Sequence, residues 1–258
     1  MSSWQPNLYL EYGKERTQPA IDLVARIDKD DPKRIIDVGC GLGNSTNVLK
    51  ARWTKAEIIG LDNSETMIAE AKSKYDTIKW LCADASNDLT ELGNFDIVFS
   101  NAVIQWIANQ ELLLHKLFRM LSPGGVLAVQ VPCVKYMPID TELKKLIITD
   151  KWRDYFENMV STYSIHTADF YYDILCDFTT ELDLWETHYF HVMNTHADIV
   201  KWYSGAGLRP YLACLKDDSL EVEFCKEYES ALASVYPIQP NGKILFPFTR
   251  IFFTLKKI

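Results

Sequence analysis

The chain has no apolar run of the length that a membrane span requires. Its first ten residues have neither the basic start nor the apolar core of a secretory signal. Its six cysteines form no Cys-x-x-Cys pair and no spacing typical of a zinc site. We therefore expect a cytoplasmic protein with reduced thiols, no membrane attachment and no metal centre.

Basic residues are too few and too scattered for a nucleic-acid surface. Lys and Arg number 27 against 35 Asp and Glu, which gives a formal net charge of −8. Phosphate backbones are bound by clustered cations, so we expect no nucleic-acid partner. A small anion can still be held where a few cations share one pocket. The sequence gives no indication of oligomeric state.

The composition, with 48% apolar and 24% charged residues, is that of a globular protein. We predict one domain over residues 1–258 with a core at 30–131 in which strands and helices alternate five times. Such alternation predicts an α/β fold with a mostly parallel sheet covered by helices. The expected strands are 35–38, 56–62, 78–85, 95–101 and 126–131, with helices at 21–27, 64–74 and 112–121.

The second half has looser periodicity and many aromatic residues. Residues 132–180 are predicted to form a helical cap over the carboxyl edge of the sheet, where a substrate would be enclosed. Tyr171 in this segment offers a phenol donor, although packing between aromatic helices explains most such residues. Residues 181–258 supply strands at 180–192 and 244–255, with helices at 197–204 and 221–235. The last strand would complete the sheet in antiparallel orientation.

A glycine-rich turn follows the first strand. Asp37 precedes Gly39, Gly41 and Gly43, and a helical pattern begins directly afterwards. Glycines permit positive φ and let a ligand approach the backbone, while the amides at a helix start carry partial positive charge. A nucleotide-like ligand is expected there, although a simple strand-to-helix turn has the same composition.

The spacing of the glycines distinguishes two kinds of cofactor. A dinucleotide fingerprint requires a third glycine at position 44, which is Asn44, so NAD binding is disfavoured. The pattern Asp37-x-Gly39-x-Gly41-x-Gly43 resembles the first motif of class I S-adenosylmethionine-dependent methyltransferases. That resemblance implies that the turn passes the methionine part of the cofactor and that the leading carboxylate meets its ammonium group.

Polar residues follow the later strands of the core. Asp62 ends the second strand and can accept both hydroxyls of a ribose. Gln105 and Trp106 follow the fourth strand at the edge where open α/β sheets bind ligands. Met67 can touch an adenine, but a Met on such a helical stripe is more often a core residue. Arg16 precedes the leading helix and either reaches an anionic group or lies on the surface.

Longer segments resemble trans-aconitate methyltransferases almost from end to end. These segments are the glycine turn with Asp62 and Asp84, residues 99–106, 185–191, 207–210 and 246–250. The chain departs from the family pattern at Ala206 and Thr249. The resemblance implies methyl transfer from S-adenosylmethionine to one carboxylate of a small polycarboxylic acid, most directly trans-aconitate. The products are a monomethyl ester and S-adenosylhomocysteine.

The resemblance also implies a set of site residues. Asp84 and the amide of Ala85 would meet the adenine, although a loop aspartate commonly caps its own turn. The predicted cofactor contacts are Arg16, Asp37, Gly39, Gly41, Gly43, Asp62, Asn63, Met67, Asp84, Ala85, Asn101, Gln105 and Trp106. The predicted substrate contacts are Tyr9, Arg16, Trp106, Tyr171, His188, Arg209 and Arg250. Arg209 at a helix end and Arg250 on a strand also have ordinary structural interpretations.

No catalytic base is predicted, because a carboxylate with a pKa of about 4 is already ionised at neutral pH. His188 and His191 suggest a metal at first, but three residues along a strand they project to opposite faces. Three other functions remain open. They are methylation of another carboxylic acid or of a malonyl carrier protein, a non-catalytic S-adenosylmethionine-binding protein, and an NAD-binding oxidoreductase.

Overall fold

The computed structural model describes residues 13–161 and 163–258, with side chains from Thr17 onward apart from position 162. Tyr9 therefore lies outside the described residues, as does the side chain of Arg16. None of the helices in the described part of the chain is long and apolar enough to cross a membrane.

The first half alternates strands and helices as predicted. Helices and strands follow in the order α1 Gly13–Ala25, β1 Arg34–Val38, α2 Asn44–Arg52, β2 Glu57–Asp62, α3 Glu65–Lys74, β3 Lys79–Cys82, β4 Phe95–Asn101, α4 Gln110–Arg119 and β5 Leu121–Pro132. Short 3-10 turns at Thr90–Leu92 and Ile104–Trp106 flank β4. Ser64 caps α3 by accepting from the amide of Met67 at 3.4 Å.

The second half supplies further helices and two long strands. These elements are α5 Pro138–Ile147, α6 Arg153–Phe156, α7 Ala168–Leu175, β6 Leu182–Met193, α8 His196–Ser204, α9 Arg209–Leu212, α10 Asp218–Ala233 and β7 Ile244–Lys256. Residues 132–180, which were predicted to form a helical cap, contain α5, α6 and α7. Its placement over the carboxyl edge stays a prediction.

The seven strands form one sheet in the order β3-β2-β1-β4-β5-β7-β6. β1, β2, β3, β4 and β5 pair in parallel. β7 runs antiparallel to β5, with Gln130 opposite Phe252 and Pro132 opposite Arg250. The predicted α/β sheet with an antiparallel last strand is confirmed.

Two predicted starts are wrong by about five residues or more. α1 begins at Gly13 rather than near Ile21 and contains Pro19, whereas the apolar stripe used for the prediction starts only at Ile21. β5 begins at Leu121 rather than Val126. Leu121 pairs with Phe95 before an irregularity that contains Pro123 and two glycines, so turn-forming residues lie inside the strand.

The described residues divide into two compact units. The sheet unit comprises Arg16–Pro132, His166–Thr187 and Arg250–Ile258, and it contains β1 to β5 with their helices. The helical unit contains Cys133–Ile165 and His188–Thr249, so β6 and β7 each pass from one unit into the other. Its core is built on aromatic side chains, among them Trp152, Trp202, Phe224, Tyr228 and Phe246, which are at most 3% exposed.

Candidate functional site

The turn after β1 is fixed by backbone hydrogen bonds to the end of β2. The amides of Gly39 and Cys40 both donate to the carbonyl of Leu61, at 2.7 and 2.9 Å. Gly39, Gly41 and Gly43 have φ values of +79°, +53° and +86°. These left-handed conformations are unfavourable for residues with a Cβ, which explains the three alternate glycines.

Only one of the three glycines presents an open face. A Cβ at Gly39 would lie 2.2 Å from Val103, and a Cβ at Gly43 would lie 2.5 Å from Trp80. At Gly41 the Cβ position has no described heavy atom within 4 Å, its chain neighbours aside. Gly39 and Gly43 therefore serve internal packing, whereas Gly41 leaves room for a ligand against the backbone.

The Asp62 carboxylate is oriented by two backbone amides. Its Oδ2 accepts from the amide of Gly41 and its Oδ1 from the amide of Ser64, both at 2.9 Å. Asp62 is half-buried, and each oxygen has a further lone pair for another donor. The carboxylate thus lies next to the open position of the turn, where the predicted ribose contact requires it.

The Asp37 carboxylate stabilises the turn through hydrogen bonds to the start of α2. It is fully buried, and its Oδ2 accepts from Ser45 Oγ at 2.7 Å and from Thr46 Oγ1 at 2.6 Å. Burial raises the pKa of Asp37 to about 6, although the two hydroxyl donors oppose this shift. The carboxylate ties the end of β1 to the first turn of α2. Its predicted contact with an ammonium group stays a prediction.

Three buried acceptor atoms belong to residues at this end of β1 and β4. They are Asp37 Oδ1, Asn101 Oδ1 and Gln105 Oε1, and each is without a hydrogen-bond partner among the described residues. Asp37 pairs with Phe99, so Asn101 lies two residues further along the neighbouring strand. Unsatisfied buried acceptors are rare in proteins and indicate a missing donor. A ligand with amine and hydroxyl donors would satisfy them.

The other predicted cofactor residues differ in exposure. Asp84 Oδ1 accepts from the amide of Ser86 at 2.7 Å, so this carboxylate caps its own loop. Ala85 is 8% exposed and Met67 is 6% exposed, and Met67 lies on the buried stripe of α3. Asn63 is exposed, and Trp106 is half-buried in the 3-10 turn after β4. Packing accounts for Met67, while the cofactor contacts of the rest stay predictions.

A polar pair lies where the end of β5 meets the middle of β7. Arg250 is 6% exposed, and its Nη1 donates to Gln130 Oε1 at 3.4 Å. Gln130 is fully buried and its Nε2 has no partner in the part of the chain that the structure describes. Gln130 pairs with Asn101 of β4, so the pair adjoins the three unsatisfied acceptors. Sequence reasoning missed Gln130, an amide inside the apolar run of β5 whose partner Arg250 is distant in the sequence.

The remaining predicted substrate residues are held by different contacts. Tyr171 is 1% exposed and donates to Gln110 Oε1 at 2.7 Å within the sheet unit, a contact that favours a packing role. In the helical unit, His188 is exposed, with Nδ1 2.8 Å from Thr249 Oγ1. Arg209 is half-buried at the start of α9. Their substrate contacts stay predictions.

In the part of the chain that the structure describes, histidines and acidic residues do not gather into a metal site. No group of three or more His, Cys, Asp or Glu side chains that could hold a metal occurs among the described residues. His191 is buried next to Trp202, with ring centroids 5.4 Å apart, whereas His188 is exposed.

Comparison with known proteins identifies the family. Residues 36–129 match the family model described as "Methyltransferase domain". Over 258 residues the chain is 37% identical to the trans-aconitate 2-methyltransferase of Escherichia coli O139:H28 (strain E24377A / ETEC), with 100% of both chains covered. The chain belongs to the trans-aconitate 2-methyltransferase family. It is a methyltransferase that uses S-adenosylmethionine, which confirms the predicted enzyme class and cofactor.

Solved structures with lower identity share the fold. The YcgJ protein from Bacillus subtilis is 13% identical with a TM-score of 0.61, covering 93% of this chain and 98% of that one. The plantazolicin methyltransferase BpumL, solved in complex with a pentazolic desmethylPZN analog and SAH, is 14% identical with a TM-score of 0.54. That match covers 98% of this chain and 91% of that one.

The residues at the turn fit S-adenosylmethionine. This cofactor has an ammonium group, two ribose hydroxyls and an adenine amino group, all of them donors. The methyltransferase offers the Asp62 carboxylate and the three unsatisfied acceptors of Asp37, Asn101 and Gln105 at one edge of the sheet. Gly41, the glycine with the open face, lies between Asp37 and Asp62 in the sequence and lets the ligand approach the backbone closely. Donors on the ligand and acceptors on the protein are therefore complementary.

The two kinds of glycine predict different defects. In Gly41→Ala, the left-handed φ costs about 1 kcal/mol of stability, but the methyl group occupies the open face. We expect a folded protein whose affinity for S-adenosylhomocysteine falls at least about tenfold. In Gly39→Ala, the clash with Val103 adds to the strain and lowers the free energy of unfolding by about 3 kcal/mol. Thermal denaturation and calorimetric titration measure both quantities. Unchanged affinity in Gly41→Ala would contradict the assignment.

The raised pKa of Asp37 predicts a pH-dependent stability difference. The folded protein binds this proton more tightly than the unfolded chain, whose carboxyl has a pKa near 3.8. The stability contributed by the group is therefore complete below pH 4 and is lost as pH rises through about 6. Asp37→Asn does not titrate. Urea unfolding should show the wild-type free energy falling relative to this variant from pH 4.5 to 7, by about 2 kcal/mol. A difference that grows in the opposite direction would refute the shift.

Proposed function

We propose that this methyltransferase esterifies one carboxylate of a small polycarboxylic acid, with trans-aconitate as the first candidate, and that it releases the monomethyl ester. The buried pair of Arg250 and Gln130 carries the proposal. A guanidinium fork beside an amide donor matches the acceptor oxygens of a carboxylate. The name of the full-length relatives, trans-aconitate 2-methyltransferase, supports the same acceptor.

The position of the pair suits a second ligand next to the methyl donor. Gln130 lies beside Asn101 in the sheet, and Arg250 is opposite the end of β5. The acceptor atoms of β1 and β4 thus adjoin donor groups of β5 and β7. The acceptor atoms of β1 and β4 suit S-adenosylmethionine, which is rich in hydrogen-bond donors. The donor groups of β5 and β7 suit a polycarboxylic acid, which is rich in acceptors.

The chemistry of this reaction requires orientation rather than proton transfer. When bound, S-adenosylmethionine supplies a methyl group activated by a positively charged sulfur. An ionised carboxylate is already a nucleophile, so no residue has to act as a base. Arg250 and Gln130 would hold one carboxylate of the acid and so direct another towards the donor. Alignment of two bound reactants can lower a barrier by about 7 to 11 kcal/mol.

Other predicted contacts complete the proposal. Arg209 and His188 of the helical unit, together with Trp106, Tyr9 and Arg16, are the proposed further contacts of the acid, and Arg16 serves either the acid or the cofactor. We place the enzyme in the cytoplasm, since all six of its cysteines are free thiols. A small-molecule acceptor, rather than a carrier protein, fits the net charge of −8.

The direct test is turnover on a panel of acids. The protein is incubated with methyl-labelled S-adenosylmethionine and trans-aconitate, cis-aconitate, citrate, malonate or malonyl carrier protein. We expect base-labile label in trans-aconitate above the other acids. Preference for another acid would change the acceptor. Tight binding of S-adenosylmethionine without turnover on any of them would favour a non-catalytic protein.

Gln130→Glu tests the carboxylate site directly. Glutamate has almost the same shape as glutamine, and its carboxylate would pair with Arg250 and neutralise the charge of the guanidinium. We expect KM for the acid to rise about 10- to 100-fold, as expected for losing a charged hydrogen bond of about 1.5 to 3 kcal/mol. Affinity for S-adenosylhomocysteine should stay within about twofold.

Asn241→Asp is the matched control because it adds the same charge on an exposed turn, where its Oδ1 accepts from the Lys243 amide. Arg250→Lys should give an intermediate KM, since lysine lacks the bidentate fork. An unchanged KM in Gln130→Glu would exclude this pair as the acid site.

A further inference from the structure

The loop after β4 contains a strained residue. Ala102 has a φ of +58°, and Tyr136 is the only other described residue besides glycine with a positive φ. This region is unfavourable for a residue with a Cβ, so surrounding contacts must impose it. The amide of Ala102 donates to the carbonyl of Gln130 at 2.9 Å, which fixes one side of its backbone to β5.

Gln105 fixes the other side of the same residue. Its Nε2 donates to the carbonyl of Ala102 at 2.7 Å, and its side chain is only 4% exposed. The amide of Trp106 donates to the carbonyl of Val103 at 2.9 Å and closes the turn. The Nε2 atom of Gln105 therefore binds the backbone of its own loop. Its Oε1 atom has no partner among the described residues and is left for a ligand.

The strained residue determines where Val103 lies. The two methyl groups of Val103 are 2.2 and 2.4 Å from the place that a Cβ at Gly39 would take. Val103 thus packs directly on the bare Cα of the first turn glycine. If Ala102 returned to a negative φ, the following residue would swing away and the turn would lose this support.

We propose that Gln105 is a positioning residue. It holds Ala102 in its left-handed conformation, which keeps Val103 on Gly39 and so fixes the glycine turn in the geometry that binds the methyl donor. The inference concerns the donor site alone and holds whichever acid is methylated. The rival is that Gln105 affects binding only through Oε1, the unsatisfied acceptor that it offers to the cofactor.

A double-mutant cycle separates the two roles. Gln105→Met keeps the length of the side chain and removes its polar atoms. Ala102→Gly removes the Cβ that makes the left-handed conformation unfavourable, so that this conformation no longer needs the hydrogen bond from Gln105. Affinity for S-adenosylhomocysteine is measured by calorimetry, with thermal denaturation reporting on folding. We expect Gln105→Met to weaken binding about tenfold, which corresponds to about 1.4 kcal/mol. Ala102→Gly alone should change it by no more than about twofold.

The double variant decides the question. With glycine at 102 the left-handed conformation needs no support, so affinity should return to within about twofold of Ala102→Gly. Failure of the second substitution to restore binding would assign Gln105 to direct contact. Unchanged binding in Gln105→Met would exclude both roles.

Val103→Ala provides a test that does not depend on folding of the Gln105 variant. It leaves the bond between Gln105 and Ala102 in place and removes the methyl groups that pack on Gly39. We expect a folded protein with affinity reduced about fivefold, and combination with Gln105→Met should weaken binding little further. Full affinity in Val103→Ala would overturn the proposed link between the two loops.

Discussion

The donor site depends on the attachment of the glycine turn to the strands on either side of β1. Two consecutive amides, of Gly39 and Cys40, share the carbonyl of Leu61 from β2. Val103, from the loop after β4, fills the space above Gly39. The turn therefore has almost no freedom of its own, and the open face of Gly41 is held at a fixed place relative to Asp62. Binding by bare backbone requires this rigidity, because a glycine-rich segment has a large conformational entropy when free.

Polarity at the edge of the sheet is divided between neighbouring strands. Acceptor atoms belong to Asp37, Asn101 and Gln105 at β1 and β4, whereas donor groups belong to Gln130 and Arg250 at β5 and β7. Under the proposed function, this division would direct a cationic methyl donor and an anionic acid to adjacent places. The same division disfavours exchange of the two ligands, since each would meet groups of its own polarity. In the proposed reaction, which needs no acid or base, such complementarity would orient the two ligands.

Local patterns predicted much of this arrangement. The alternation of apolar runs with helical segments gave the parallel strands, and the alternate glycines with Asp62 gave the turn. Contacts between distant segments were not accessible in the same way. Nothing near Gly39 in the sequence indicates that Val103 is its neighbour, so all three glycines were interpreted as ligand-facing, although only Gly41 is open. Gln130 was overlooked because a single amide inside an apolar strand becomes informative only when its partner, Arg250, is known.

The unsatisfied acceptors of the donor site have a consequence for the lifetime of the protein. Each buried acceptor without a partner lowers the stability of the folded state by about 1 to 3 kcal/mol. A ligand that supplies the missing donors removes this deficit and adds its own binding free energy to the resistance against unfolding. Proteases act on opened chains, so the enzyme would persist longer when its methyl donor is abundant. Supply of the cofactor would then set the amount of enzyme as well as its rate.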